Sequence, residues 1–411
     1  MVATAVGALA LPGSRANADR YAALDTFAQS LSYIANQYVD PVDERLLIHG
    51  GVSGMVSRLD EHSAFLPPQR YRRLREDTEG EFGGIGVTLD AGPDTSGEAN
   101  HPVVRTVVAG SPAARAGLVM GDRVLVVDGK PTAGKDIRTS VRVWETRLRG
   151  RSGTRLELTI GRSSWPQPRQ LSLLRERVKV PTVEWLMLEP GIGYLALKKF
   201  QEATSADAGN ALQIMLGRGV KSVILDLRNN PGGLLDQAVR VADLFLDKGV
   251  IVTIRSRADD NEQEVAHAPG TFADLGLLVL VDEGTASAAE ILAGALQDHG
   301  RATIMGQPSY GKGSVQTFMD LRDGSGLKLT TARYYTPRGI SLEGTGITPD
   351  ILVEAFAGEV IVAGSADGDA DGEDEVDTTR SLEERLRGDL QFETAHQTVM
   401  KWSGSKPASV R

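Results

Sequence analysis

The chain has 411 residues, 41% of them hydrophobic and 24% charged, enough for two or three domains with cores of their own. Its formal net charge of -9 is concentrated at one place: Asp367, Asp369, Asp371, Glu373, Asp374, Glu375 and Asp377 supply seven of those charges, and the remainder offers nucleic acid no attraction. With no cysteine there is no disulfide, no thiolate nucleophile and no cysteine-ligated zinc.

Residues 2–11 form a short apolar run, followed by Pro12, Gly13 and Ala16-Asn17-Ala18, which has the small-x-small form of a signal-peptidase site. Residues 1–18 are therefore expected to be a signal-peptide remnant and the mature protein periplasmic or otherwise exported; a frayed apolar tail is the alternative. Ten apolar residues fall short of the ~20 that span a bilayer. Residues 19–80 are helical in character. Leu24, Phe27, Leu31, Ile34 and Tyr38 recur at spacings of three and four, which puts them on one helix face. Residues 46–59 make a second run, and Pro67-Pro68 is expected to interrupt a third.

Over 81–178 the pattern changes to short strands with glycine punctuation, at 103–108, 123–127, 155–160 and 170–174, interrupted by helices at 112–117 and 136–148. In Gly84-Ile85-Gly86-Val87, two glycines flank an apolar residue, so that successive backbone N–H groups can converge on an anion such as a terminal carboxylate. Together with Ser111-Pro112-Ala113-Ala114-Arg115-Ala116-Gly117-Leu118, Gly121-Asp122 and Val127-Asp128-Gly129-Lys130, the segment resembles a bacterial PDZ domain. In that fold a ligand's last residues add as a strand beside the glycine loop, and the helix at 136–148 forms the other groove wall. An insertion at 90–103 departs from the pattern.

Residues 179–357 read as an α/β domain, with apolar strands alternating with helices. Strands are predicted at 192–197, 222–227, 277–281, 302–306, 315–321 and 327–335, and helices at 204–218, 234–246 and 286–298. Ser287 then falls in the first turn of a helix entered from a strand, where open α/β sheets place ligands. The N–H of Ala288 points the same way as the positive end of the helix dipole and suits an oxyanion. A second donor is expected from the Pro231-Gly232-Gly233 turn at the end of another buried strand, since glycine lets a backbone N–H approach a substrate closely. Lys312 lies between two glycines. An amine there is a surface charge unless desolvation lowers its pKa towards neutrality, in which case it can take the proton of Ser287. Gln316, four residues on, can orient that amine without adding charge. A plain helix cap is the competing reading of Ser287.

The segment from Leu278 to Gln316 is very similar to the core of the C-terminal processing, or tail-specific, proteases. The similarity continues through Tyr334-Tyr335-Thr336-Pro337, residues 339–342 and 344–350, and includes Asp226-Leu227-Arg228-Asn229-Asn230-Pro231-Gly232-Gly233 and Leu59-Asp60-Glu61-His62-Ser63-Ala64-Phe65-Leu66. The resemblance covers roughly residues 20–355 in the family's order. It implies an α/β multidomain fold: an N-terminal helical segment, a PDZ domain and a ClpP/crotonase-like α/β catalytic core. It also implies a serine endopeptidase without cofactors that captures and cleaves protein C-terminal tails. The family's nucleophile lands on Ser287, its general base on Lys312, its supporting glutamine on Gln316 and its oxyanion donors on Gly233 and Ala288. Thr285 and Ala289 stand where serines are frequent.

Three other sites fit less well. The six histidines, His49, His62, His101, His267, His299 and His396, suggest no Ser-His-Asp triad, and His299 reads as a helix C-cap. Residues 306–312 match the start of a phosphate-binding P-loop, but Gly313 replaces the magnesium-binding Ser/Thr and a strand follows where that motif needs a helix. Residues 367–372 imitate a calcium loop that has Thr378 in place of the bidentate Glu. An acidic linker at 358–380 is expected instead, then a C-terminal helix and tail at 381–411 that docks on the protein or on another protomer. Expected partners are protein substrates held by their C-terminal tails, with an adaptor protein and a homo-oligomer left open and no nucleic acid. The alternative function is a non-enzymatic PDZ tail-binding module or holdase.

Overall fold

The computed structural model describes residues 13–91, 101–133, 137–189, 191–257, 261–354 and 381–402. Most of the expected signal-peptide remnant, the body of the insertion after Asp90 and the expected acidic linker lie outside the described residues. The described residues form two compact units, one from residues up to Tyr71 with Gln316–Thr330, the other from Arg72–Val315 with residues from Thr331 on.

The first unit holds the helices α1 (Gly13–Gln37) and α2 (Glu44–Val56). Asp43 caps α2 by accepting the Arg45 N–H at 2.9 Å. Phe27 lies over Gly51 of α2, where a Cβ would come within 2.9 Å of its ring. Elsewhere on the predicted stripe Leu31 is half-buried, while Leu24 is 57% and Tyr38 60% exposed. Strand β1 (Ala64–Leu66) pairs antiparallel with residues 326–328. Asp60 fixes the turn before it, accepting the Ser63 N–H at 2.7 Å and the Ser63 hydroxyl at 3.0 Å. Burial raises the pKa of this carboxyl, but the bonds from Ser63, His62 and Thr330 outweigh it and hold the group below its ordinary range. Pro68 opens α3 (Pro68–Glu79) instead of interrupting a helix, because a first-turn residue needs no N–H partner.

In the second unit, β2 (Glu81–Gly84) leads to β3 (Val87–Asp90), β4 (Val103–Val107), α4 (Pro112–Arg115), β5 (Arg123–Val127), β6 (Lys130–Pro131), α5 (Ile137–Leu148), β7 (Arg155–Gly161), β8 (Arg169–Leu174) and β9 (Glu176–Lys179). The antiparallel sheet runs β3-β4-β5-β7-β8, while β9 pairs with β2. Alternation along β7 turns Leu156, Leu158 and Ile160 inward against Ile85, Leu89, Val104, Trp144 and Leu148. Asp122, buried beneath this sheet, receives Arg162 at 2.6 and 2.7 Å, which leaves neither charge unpaired.

The α/β core follows as β10 (Val183–Glu189), β11 (Ile192–Leu197), α6 (Thr204–Gly217), β12 (Ser222–Asp226), α7 (Leu235–Asp243), β13 (Val250–Ser256), β14 (Asn261–Val265), β15 (Gly276–Val281), α8 (Ala288–Asp298), β16 (Thr303–Gly306), β17 (Ser314–Asp320), β18 (Gly326–Tyr335) and β19 (Ile351–Leu352). Its main sheet runs β10-β11-β12-β15-β16-β19, parallel except at β10. Strands buried on both faces need continuous apolar runs, and β11 supplies one in which all six residues are buried. Leu195, Leu197, Val223, Leu225, Leu277 and Val279 join the cluster formed with α6, α7 and α8. Their neighbours Tyr194, Ala196, Ile224, Leu278 and Leu280 belong to a second cluster with the end of the chain.

That end consists of two helices, α9 (Leu382–Leu386) and α10 (Leu390–Met400). The break falls at Gly388, whose φ of +79° an ordinary residue adopts only with strain, and Asp389 caps the second helix by accepting the Phe392 N–H at 3.0 Å. Leu386, Phe392, Ala395 and Val399 cover the second face of the chain's own sheet. At roughly 1.5–3 kcal/mol for each large apolar side chain buried, this cover is integral to the fold.

Candidate active site

Ser287 stands immediately before α8, not in its first turn. Its φ of +55° and ψ of -117° are not helical and lie where a residue with a Cβ is strained, so the helix begins only at Ala288. A sharp strand-to-helix turn of this kind exposes a nucleophilic hydroxyl at the top of a sheet. The turn is braced from below. The Thr285 hydroxyl donates to the Leu227 carbonyl at 2.8 Å, and the Ala286 N–H donates to the Asn230 carbonyl at 2.9 Å. Asp282 accepts the Asn229 N–H at 2.9 Å and the Gly284 N–H at 3.1 Å. Burial nevertheless pushes the Asp282 carboxyl above its ordinary range.

The strain at Ser287 is held by Glu290, whose side chain is fully buried. One carboxylate oxygen accepts the Ser287 N–H at 2.7 Å and the Lys312 N–H at 2.9 Å; the other accepts the Ser309 hydroxyl at 2.6 Å and the Gly311 N–H at 2.7 Å. A single buried anion thus bonds the backbones of both predicted catalytic residues. Sequence reasoning gave Glu290 no role. The Ser-x-x-Glu spacing of a capping box was the available signal, and the reach to a second loop was not encoded in it. The glycines beside Lys312 answer to clearance: a Cβ on Gly311 would meet the Gly346 N at 3.0 Å, and one on Gly313 would collide with the Glu343 N. The Tyr310 N–H reaches the Thr285 carbonyl at 3.0 Å, pinning this loop to the Ser287 turn.

The glycine turn after β12 meets the same place. A Cβ on Gly232 would stand 2.9 Å from the Ser287 Cβ and 3.0 Å from the Ala288 N, so this residue packs directly on the Ser287 turn. Gly233 beside it, at a φ of +134°, passes so close to Phe200 that a Cβ would meet the Phe200 carbonyl oxygen. Asn230 carries the turn, donating to the Leu197 carbonyl at 2.8 Å and accepting the Gly232 N–H at 2.9 Å. Gln316 is a residue of β17 and belongs to the first compact unit. Because β17 is a strand, the chain after Lys312 lacks the helix that a P-loop needs.

In the glycine-rich loop before β3, Ile85 is buried in the core and Gly86 has a φ of +79°; a Cβ there would collide with Ser111. The Ile85 and Gly86 carbonyls accept the N–H groups of Ala113 and Val108, both at 2.9 Å. Val87 then opens β3, an edge strand of its sheet. His299 is the C-cap of α8, with Nε2 2.7 Å from the Val250 carbonyl. Among the described residues no cluster of three or more His, Cys, Asp or Glu could hold a metal ion, and no helix is long and apolar enough to cross a membrane.

The sequence profile of peptidase family S41 matches residues 191–353, and that of a PDZ domain residues 103–162. A carboxy-terminal-processing protease of Bartonella bacilliformis is 40% identical over 339 residues, covering 81% of this chain and 76% of that protein. The chain belongs to this family of peptidases. A chloroplastic carboxyl-terminal-processing peptidase 2 of Arabidopsis thaliana is 37% identical over 323 residues, 76% of this chain and 61% of that protein. The solved structure of a photosystem II D1 C-terminal processing protease is 33% identical, with a TM-score of 0.47 over 80% of this chain and 86% of that one. This S41 peptidase is accordingly a serine protease of the carboxy-terminal-processing kind, built as a PDZ domain and an S41 core with N-terminal helices, as its sequence motifs implied.

Proposed function

We propose that the protein is a serine endopeptidase that cleaves the C-terminal tails of exported or misfolded proteins by an acyl-enzyme mechanism at Ser287, with Lys312 as general base and Gln316 orienting its amine. The observation that carries this reading is the Glu290 carboxylate, bonded at once to the Ser287 and Lys312 backbones. The neutral Lys312 amine accepts the hydroxyl proton as Ser287 Oγ attacks the scissile carbonyl. The N–H groups of Ala288 and Gly233 stabilise the resulting oxyanion. On collapse the ammonium returns that proton to the departing amine. Water, deprotonated by the same lysine, then releases the acid and regenerates Ser287.

The domains are assigned as residues 19–80 for the helical segment, 81–178 for PDZ, 179–357 for the Ser-Lys core, 358–380 for the linker and 381–411 for the C-terminal part. Residues 84–87 bind the substrate's terminal carboxylate, and the tail adds beside β3. Export through residues 1–18 places the enzyme where such tails are met. The test is cleavage of a peptide with a free C-terminus by wild type and by Ser287→Ala. Loss of cleavage with folding retained is expected, and a Ser287→Ala protein that still cleaves overturns the mechanism. A wild type that binds tails without ever cleaving them is instead a tail-binding module.

A further inference from the structure

The turn that carries Gly232 and Gly233 is tied at three points. Two ties lie within the S41 core: Asn230 to β11 and to the nucleophile turn, and the Asn229 N–H to Asp282. The third comes from beyond the matched residues. Arg228, at the start of the turn, uses Nε and Nη2 on the buried Asp226 carboxylate, at 3.0 and 2.6 Å. Its remaining nitrogen, Nη1, reaches the Asp389 carboxylate at 2.7 Å and Gln391 Oε1 at 3.1 Å. Asp389 is also the cap of α10. One carboxylate therefore joins the docked C-terminal helix to the glycine turn.

The position of that join matters because Asn229, the next residue, has a φ of +54°. A strained residue persists only where its flanks over-determine it. On one flank stands Asn230, and on the other Arg228, whose planar fork is fixed only when both of its edges are bonded. The pair is well shielded, with 14% of the Arg228 side chain and 24% of the Asp389 side chain exposed. Tyr194, whose hydroxyl donates to Asp226 at 2.7 Å, stacks edge-on against Phe392 of α10 at 5.6 Å, so the same helix touches the network twice.

We propose that Asp389 is a positioning residue for the oxyanion turn, acting through Arg228, so that the protease reaches full rate only while its C-terminal helices are docked. This role presupposes the acyl-enzyme chemistry proposed above, in which the turn serves the oxyanion. The test is Asp389→Ser in the full chain, because serine still caps a helix but is too short to reach Arg228. Tail cleavage is measured well below the melting temperature, beside the rate at which a fluorophosphonate labels Ser287. Expected are a kcat lower by ~10–100-fold with KM unchanged, and labelling slowed in the same proportion. Asp389→Asn, which keeps the cap and a neutral bond to Arg228, falls between. Wild-type kcat and labelling in Asp389→Ser, or a loss confined to KM, overturn the role of Asp389 while leaving the chemistry standing. Cleavage that survives Ser287→Ala overturns both.

Discussion

Replacing Glu290 by glutamine tests the bridge between the Ser287 and Lys312 loops without changing its shape. The carboxylate receives four donors, two on each oxygen: the Ser287 and Lys312 N–H groups on one, the Ser309 hydroxyl and Gly311 N–H on the other. A glutamine keeps one accepting oxygen and turns an NH2 towards the other pair, so two charge-assisted bonds are lost whichever way the amide settles. At about 1.5–3 kcal/mol each, the loss is about 3–6 kcal/mol before relaxation. Part of it appears as stability, since two buried donors are left without an acceptor. The remainder appears in turnover, with kcat expected to fall ~10²–10³-fold and KM to change little, because a displacement of about 1 Å between reacting groups has effects of that size. The assay is steady-state cleavage of a fluorogenic peptide with a free C-terminus, with the melting temperature measured in parallel. A Glu290→Gln enzyme with kcat within threefold of wild type refutes the bridge.

The positive φ at Ser287 separates two variants expected to be inactive: Ser287→Gly relieves a strain that Ser287→Ala retains, and thermal melting should find the glycine variant at least as stable as the alanine one, although glycine in an ordinary position is destabilising. Gly232→Ala should cost at least ~100-fold in kcat, because its Cβ has no room beside Ser287 and Ala288, and single-turnover kinetics would read the loss in the acylation step. Asp226 is held below the ordinary aspartate value of 3.8: burial opposes this, but Arg228 outweighs it. Its contribution to stability is thus complete above pH 3.8 and lost as pH falls through the lower folded value, and acid titration of Asp226→Asn should show a flatter acid limb. Amidating the peptide's C-terminus should raise KM, and an unchanged KM removes residues 84–87 from carboxylate binding.

Much of the core was legible because its strands are buried on both faces and therefore apolar throughout, as at 192–197 and 277–281. The glycines at 84, 86, 232, 311 and 313 were legible as punctuation, and those at 86, 232, 311 and 313 pass close to another part of the chain. Three features were not. The stripe on α1 fixed a helix but not what covers it, since periodicity reports a face and not its partner. The start of α8 was placed two residues early because Ala286 and Ser287 fit the helical pattern, while the positive φ at Ser287 follows from contacts with Glu290 and the glycine turn. The bonds from Glu290 to residues 309–312 and from Asp389 to Arg228 join positions far apart in sequence, and local spacing carries no trace of them.

In the proposed mechanism Ser287 acts as a nucleophile that Lys312 activates. The most direct measurement is the rate of acyl-enzyme formation on a tail peptide, followed by intact-protein mass for wild type and Lys312→Ala side by side. Wild type is expected to gain the mass of the acyl fragment on Ser287, and a folded Lys312→Ala protein to remain unmodified. Acylation of Lys312→Ala at the wild-type rate, or a wild type that cleaves tails without passing through Ser287, contradicts it.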